Sequence, residues 1–199
     1  MSGIFLQQVL TGFLVKSIAS FDDTLTRIPV LAELTRGKTG KIAFSIGTLL
    51  ALTVILIIVI FFSAVLNMIP YRQYLVAGLI FLLALAVYFE IFSPKKEEKI
   101  ERKLLHVQAI SNGRFLKLIG IGFIVSFVTY LDDMVVLMPL FIGDHTAKLF
   151  RVAGIYLAAL TQIVLVIYFS RQLSRIKYKK ELATLALVIL ATLVWLGVI

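Results

Sequence analysis

One uninterrupted apolar stretch decides the class of this 199-residue chain. Residues 42–69 contain no charged side chain, and about 20 apolar residues are enough to cross a bilayer as an α-helix. The chain is 60% hydrophobic and only 16% charged, whereas soluble domains are about 45–50% apolar and about 25% charged. The composition predicts an all-α, polytopic, multi-pass protein of the cell membrane, in contact with lipid.

The alternation of apolar and polar segments predicts six transmembrane helices. Their expected bounds are 4–33, 42–67, 71–92, 115–142, 147–169 and 182–199. Pro70 predicts a tight turn between the second and third helices, and the charged segment 93–114 predicts a cytoplasmic polar linker. The first apolar segment is expected to be a retained helix, because no basic segment precedes it and no clear small-residue cleavage site follows it.

A pair of adjacent aspartates occurs twice, each time within an apolar segment. A constant offset of 110 relates Gly12 to Gly122, Phe13 to Phe123, Val15 to Val125, Asp22 to Asp132, Asp23 to Asp133 and Pro29 to Pro139. Further along, an offset of 107 relates Lys41 to Lys148, Gly47 to Gly154, Ser63 to Ser170 and Tyr71 to Tyr178. These matches predict two three-helix repeats, 1–92 and 115–199.

The number of helices in each repeat predicts the topology. Three is odd, so the second repeat begins on the opposite side of the membrane and the two repeats are inverted, as in many secondary transporters. Fifteen Lys and Arg residues lie at the 1–2, 3–4 and 5–6 connections, against Arg72, Lys148 and Arg151 on the other side. Because cytoplasmic loops carry the excess of positive charge, both termini are expected outside. The net charge of +9 therefore does not indicate a nucleic-acid partner.

The acid pairs are the candidate site. An ionised carboxylate near the bilayer centre costs about 2.5–3.5 kcal/mol, so Asp22, Asp23, Asp132 and Asp133 are expected to share a metal ion or protons where helices 1 and 4 meet. Successive helical residues point about 100° apart, so each pair is expected to divide into two roles. Additional polar groups are expected from Ser20, Thr26, Ser126 and Thr129, and Gln162 either lines the pathway or bonds a neighbouring helix.

The available ligand types favour a hard cation. Carboxylate and hydroxyl oxygens suit Mg²⁺, Ca²⁺ or Mn²⁺. The chain has no cysteine, and His106 and His145 fall in predicted loops. Pro29 and Pro139 are expected to kink or break their helices just beyond the acids, as at many binding sites within membranes. A divalent metal ion or protons are therefore the expected cargo, with no permanently bound cofactor.

The segment 124–141, built around Asp132 and Asp133, resembles the acid-pair signature of the cadmium-resistance transporter (CadD-like) family in the lysine-exporter superfamily. The resemblance implies a six-helix, inverted-repeat exporter with intramembrane Asp ligands. Because the superfamily also exports amino acids, it leaves a small organic cation or amino acid as the alternative cargo. The first copy departs from the signature, since it has a polar run ending in Arg27, which lies four residues from Asp23.

Other roles for the acid pairs compete with transport. They could be structural caps or ion-pair partners, or belong to a membrane scaffold. An intramembrane aspartyl protease also needs two Asp on facing helices, but its Gly-x-Gly-Asp context is absent. The expectation is a secondary transporter, not an enzyme, that exports a divalent metal ion in exchange for protons. A homodimer remains open.

Overall fold

A computed structural model describes residues 2–20, 38–89, 114–142, 145–173 and 179–197. All regular secondary structure in these ranges is helical. The helices are α1 (Ser2–Ala19), α2 (Lys38–Leu66), α3 (Arg72–Tyr88), α4 (Arg114–Leu137), α5 (His145–Leu173) and α6 (Lys179–Trp195), with a 3₁₀ helix at Met138–Phe141. The expectations for Asp22, Asp23, Thr26, Arg27 and Pro29, and for nearly all of the linker 93–114, lie outside the described residues.

The helix bounds follow the expected pattern, with differences at the ends. α4 stops at Leu137 instead of continuing to 142, and the 3₁₀ helix that follows has Pro139 near its start. Proline lacks the amide hydrogen that an α-helix needs, which explains the break. The turn at Pro70 is confirmed, with Tyr71 in the left-handed region at φ 60°. His145, expected in a loop, is instead the first residue of α5.

Within the described residues, three segments are long and apolar enough to cross a membrane: Gly40–Leu66, Phe115–Phe141 and Ala147–Leu165. The other three helices are apolar but shorter. Large apolar side chains are exposed on the outer surface, including Ile57, Phe61 and Leu149. Such a surface is unfavourable in water and suits the hydrocarbon of a bilayer. The chain is therefore a helical membrane protein.

The described helices associate chiefly as three pairs: α1 with α5, α2 with α4, and α3 with α6. Apolar residues of all six helices fill the interior, among them Ile55, Ile80, Leu137 and Ile155, each fully buried. Rings of Tyr71, Tyr74 and Trp195 cluster where α3 begins and α6 ends. This is an arrangement typical of residues at a membrane interface.

The α1–α5 pair is held at close backbone distance by glycine. Gly154 of α5 lies against the carbonyl of Val9 and the amide of Phe13, and a Cβ at Gly154 would stand 2.8 Å from the Phe13 nitrogen. On the facing helix, Gly12 lies against the backbone of Arg151. Real Cβ atoms do not approach backbone atoms so closely, so both positions require glycine.

The α2–α4 pair has the same contact. A Cβ at Gly47 would stand 2.7 Å from the amide nitrogen of Phe123 and would also clash with the carbonyl of Ile119, while Gly122 lies against the backbone of Phe44. The offsets of 110 and 107 convert every residue of the α1–α5 contact into its counterpart here. The residues that match in sequence therefore make matching contacts in space.

Two other glycines do not follow the close-packing interpretation. Glycine within an apolar helix predicts a close-packing position, and this prediction also covers Gly78 and Gly120. A Cβ at either of these two would meet no atom of the described residues within 4 Å. The expectation is wrong for these two, because a small residue on an apolar helix does not reveal whether another helix approaches it.

Arg151 connects three elements. Its Nε donates to Oε1 of Gln8 on α1 at 2.6 Å, and its Nη1 donates to the carbonyl of Leu140 in the 3₁₀ helix at 2.6 Å. Hydrogen bonds from a charged group contribute about 1.5–3 kcal/mol each.

We expect Arg151→Met to lower the unfolding midpoint of the detergent-solubilised protein clearly, and Lys148→Met, which removes the same charge one turn earlier, to change it little. Equal midpoints for the two variants would show that Arg151 has no connecting role.

Candidate cation site between α1 and α4

The site is formed by one turn from each of two helices. Lys16 and Ser20 are four residues apart at the end of α1, and Tyr130 and Asp133 are three residues apart in α4. Residues with these spacings share a helix face. Because α1 also contacts α4, the two faces meet inside the bundle.

A buried ion pair lies at the centre of the site. Lys16 is 0% exposed and Asp133 is 1% exposed, and the Lys16 ammonium pairs with Oδ2 of Asp133. The ammonium also donates to Ser20 Oγ at 2.5 Å, and Ser20 Oγ in turn donates to the same Asp133 oxygen at 2.7 Å. The three groups form a closed triangle of polar contacts away from solvent.

An aromatic ring completes the surroundings of the ammonium. Lys16 Nζ lies 3.8 Å from the centroid of the Tyr130 ring, well within the range of a cation–π contact. An ammonium group has three hydrogen-bond donors, and here they face a carboxylate, a hydroxyl and a π surface. These are groups that suit a bound cation, and the cation that they contact is the Lys16 ammonium of the protein itself.

The two oxygens of Asp133 differ sharply. Oδ2 accepts from both Lys16 and Ser20, whereas Oδ1 is buried and has no hydrogen-bond partner among the described residues. A buried polar atom that makes no hydrogen bond costs about 1–3 kcal/mol. A cation that binds at Oδ1 would remove that cost.

The adjacent acid has a different environment, as a rotation of about 100° per residue requires. Asp132 is only half-buried, and its Oδ1 accepts the backbone N–H of Asp133 at 3.0 Å. The two carboxyl groups of the pair therefore present one buried and one accessible oxygen donor set on the same turn of α4.

The other expected site residues are distributed around this pair. Ser20 contacts Asp133 directly. Ser126 bonds the hydroxyl of Thr48 on α2 at 2.9 Å, and Thr129 donates to the Val125 carbonyl at 3.0 Å, so both hydroxyls make contacts away from the ion pair. Gln162 is half-buried on α5. No group of three His, Cys, Asp or Glu that could hold a metal ion occurs within the described ranges.

Two residues of the site had no expected role in the sequence. Lys16 is the only charged residue in the described part of α1, and that isolation was the available signal. The expected first helix, 4–33, places Lys16 near its middle, where an ionisable residue usually marks a functional position. For Tyr130, the available signal was its position three residues before Asp133. The 110 offset pairs Lys16 with Ser126 and Ser20 with Tyr130, so the two copies differ at the positions that form the contact.

The arrangement holds a positive charge, the Lys16 ammonium, inside an apolar bundle. Burying two charges is costly, and removing one partner of a buried pair typically costs about 3–5 kcal/mol. Ionisable residues within membrane helices usually mark ion or substrate pathways. No protein-family model, curated protein or solved structure matches this chain, so its function has to be inferred from this geometry.

Proposed function

We propose that this protein is a secondary transporter that exports a divalent metal cation in exchange for protons. The observation that carries the proposal is the Asp133 carboxylate, which is 1% exposed, paired with Lys16 through one oxygen and, within the described part of the chain, without a hydrogen-bond partner at the other. Replacing a buried ion pair by apolar residues is often neutral or stabilising, so stability alone does not account for this arrangement. Its presence favours a role in binding.

The duplicated sequence supports an inverted-repeat transporter. The glycine contacts of α1 with α5 recur in α2 with α4 at the sequence offsets of the repeat. A site between α1 and α4 takes one helix from each copy, as expected at the interface of inverted repeats. The same proposal includes six membrane spans and external termini.

The acid pair supplies the oxygens for a divalent cargo. Asp132 and Asp133 are adjacent on α4, and Ser20 adds a hydroxyl from α1. In the proposed site, the cation binds the carboxylates when they are ionised and leaves when protons replace it or when the site faces the other side. Asp22 and Asp23 of the first copy are proposed to complete the ligand set.

A small organic cation or amino acid is the second candidate cargo. It is favoured by the fact that an alkylammonium group, that of Lys16, already fits between Asp133, Ser20 and Tyr130. Aromatic faces are typical of sites for organic ammonium ions, whereas a hard metal ion requires oxygen ligands.

Flux into proteoliposomes tests both cargoes. We expect purified protein to move at least one of Mn²⁺, Mg²⁺, Ca²⁺ or Cd²⁺ across the bilayer, with a rate that depends on an imposed proton gradient. Radiolabelled lysine and methylammonium are assayed in parallel, with protein-free liposomes as the control. Movement of the organic ions alone would assign the second cargo. No flux of any of these ions in either direction would refute cation transport.

A further inference from the structure

We propose that Lys16 is an internal competitor for the transported cation. Its ammonium occupies Oδ2 of Asp133 while the site holds no cargo, and a cation that binds the carboxylate through Oδ2 must displace it. This inference rests on the proposed transport function and adds to it the element that sets affinity and permits release.

The contacts of Lys16 are those that a bound cation would make. Its ammonium pairs with Asp133, donates to Ser20 and lies over the ring of Tyr130, and none of the side chain is exposed. These groups are the binding site itself. Lys16 and a cargo cation at Oδ2 of Asp133 therefore exclude each other.

Competition by a tethered ammonium suits an exporter. Transport requires binding strong enough to load the cargo and weak enough to release it. A buried carboxylate with no other cation nearby would bind a divalent ion tightly and release it slowly. The lysine stem has four flexible carbons, so the ammonium can leave Asp133 without movement of α1 and can return as the cargo departs.

The two copies of the repeat differ at the position of the competing ammonium. The counterpart of Lys16 in the second copy is Ser126, whose hydroxyl bonds Thr48. Among the described residues, only the first copy thus supplies an ammonium at this position. One tethered charge per protein would then compete for one carboxylate.

Calorimetric titration of Mn²⁺ into the purified full-length protein tests this competition. In Lys16→Met, which keeps an apolar stem of similar length, Mn²⁺ should bind Asp133 at least about tenfold more tightly than in the wild type, since each tenfold corresponds to 1.4 kcal/mol. Lys41→Met is the matched control, because Lys41 also lies over a ring, that of Tyr168 at 5.4 Å, but belongs to the start of α2. It should leave the affinity unchanged.

Lys16→Ala adds a chemical-rescue arm. Truncation to alanine removes the equivalent of propylammonium from the site, so added propylammonium should weaken Mn²⁺ binding competitively in this variant and not in the wild type. A lysine that only stabilises the fold would let propylammonium raise the unfolding midpoint without changing Mn²⁺ affinity.

The outcomes separate the two proposals. If Mn²⁺ binds the wild type and loses affinity in Lys16→Met/Asp133→Asn, but binds Lys16→Met with unchanged affinity, the competitor role is wrong and cation binding stands. If the wild type and Lys16→Met bind none of Mn²⁺, Mg²⁺, Ca²⁺ and Cd²⁺, the metal-export function fails, and the competitor role for metal fails with it. If neither Lys16 variant folds even in the presence of propylammonium, Lys16 is structural and the inference is overturned.

Discussion

Lys16→Met/Asp133→Asn is expected to fold like the wild type and to transport no cation. The single change Asp133→Asn would leave the Lys16 ammonium buried without its carboxylate, at a cost of about 3–5 kcal/mol, so a loss of flux could reflect misfolding alone. Replacing both members by neutral residues leaves no buried charge without its partner, and it is the loss of one partner alone that is strongly destabilising. The double variant therefore separates binding from stability.

The expected loss of binding is large. Withdrawing a buried carboxylate from a cation removes on the order of 3 kcal/mol or more, which corresponds to about a hundredfold in affinity. Proteoliposome flux and the unfolding midpoint are measured on the same preparations. Glu181→Gln is the control, because Glu181 is an exposed acid in the first turn of α6 and its neutralisation should leave flux intact.

Two results would contradict this expectation. Flux at the wild-type rate in the double variant would place the transported ion elsewhere. The pair would be assigned to folding if the double variant lost flux and also unfolded at a lower temperature than the wild type. In that case the single variants Lys16→Met and Asp133→Asn should also have lowered unfolding midpoints. The two readouts together decide between these possibilities.

Gly154→Ala and Gly47→Ala are expected to destabilise the protein by a similar amount. In both cases the added methyl group would collide with a backbone carbonyl and a backbone amide of the facing helix. Backbone atoms cannot move aside as the end of a side chain can, so the helix pair must separate. Overpacking of this kind costs about 1–3 kcal/mol, and in some cases more.

Gly120→Ala is the matched control, since Gly120 lies on the same helix as Gly122 and a Cβ there meets no atom within 4 Å in the part of the chain that the structure describes. Alanine favours helix over glycine by up to about 1 kcal/mol, so this variant should be unchanged or slightly more stable. The measurement is the fraction of protein that remains monodisperse in detergent after heating. Equal behaviour of Gly154→Ala and Gly120→Ala would mean that the close approach of α1 and α5 is unimportant for stability.

Similar losses of stability in Gly154→Ala and Gly47→Ala would also bear on the repeat. The two positions are related by the offset of 107, and their contact partners are related by 110. Equal sensitivity would show that the two copies use the same packing contact energetically. A large loss in one and none in the other would argue that the repeat survives in sequence but not in function.

The sequence alone determined the helical membrane class and, within the described residues, the approximate bounds of the helices. It also determined the duplicated pattern and a break in the fourth helix at Pro139, although not the end of α4 at Leu137. These properties depend on residues close together in the chain, since hydropathy, helix breaking and spacing are local. The same local information marked Asp132 and Asp133 as costly to bury and Ser20 as a polar neighbour. It could not show which groups neutralise them.

Only the tertiary structure decided that Lys16 pairs with Asp133, 117 positions away. That contact depends on how far α1 and α4 are rotated about their axes, which is set by helix packing across the whole bundle. The same applies to glycine, because Gly47 and Gly120 look alike in sequence and only one faces another backbone. The Asp133 carboxylate is paired with an ammonium from the other copy of the repeat. A buried charge requires a partner, and the packing of the helices determines which group lies within reach.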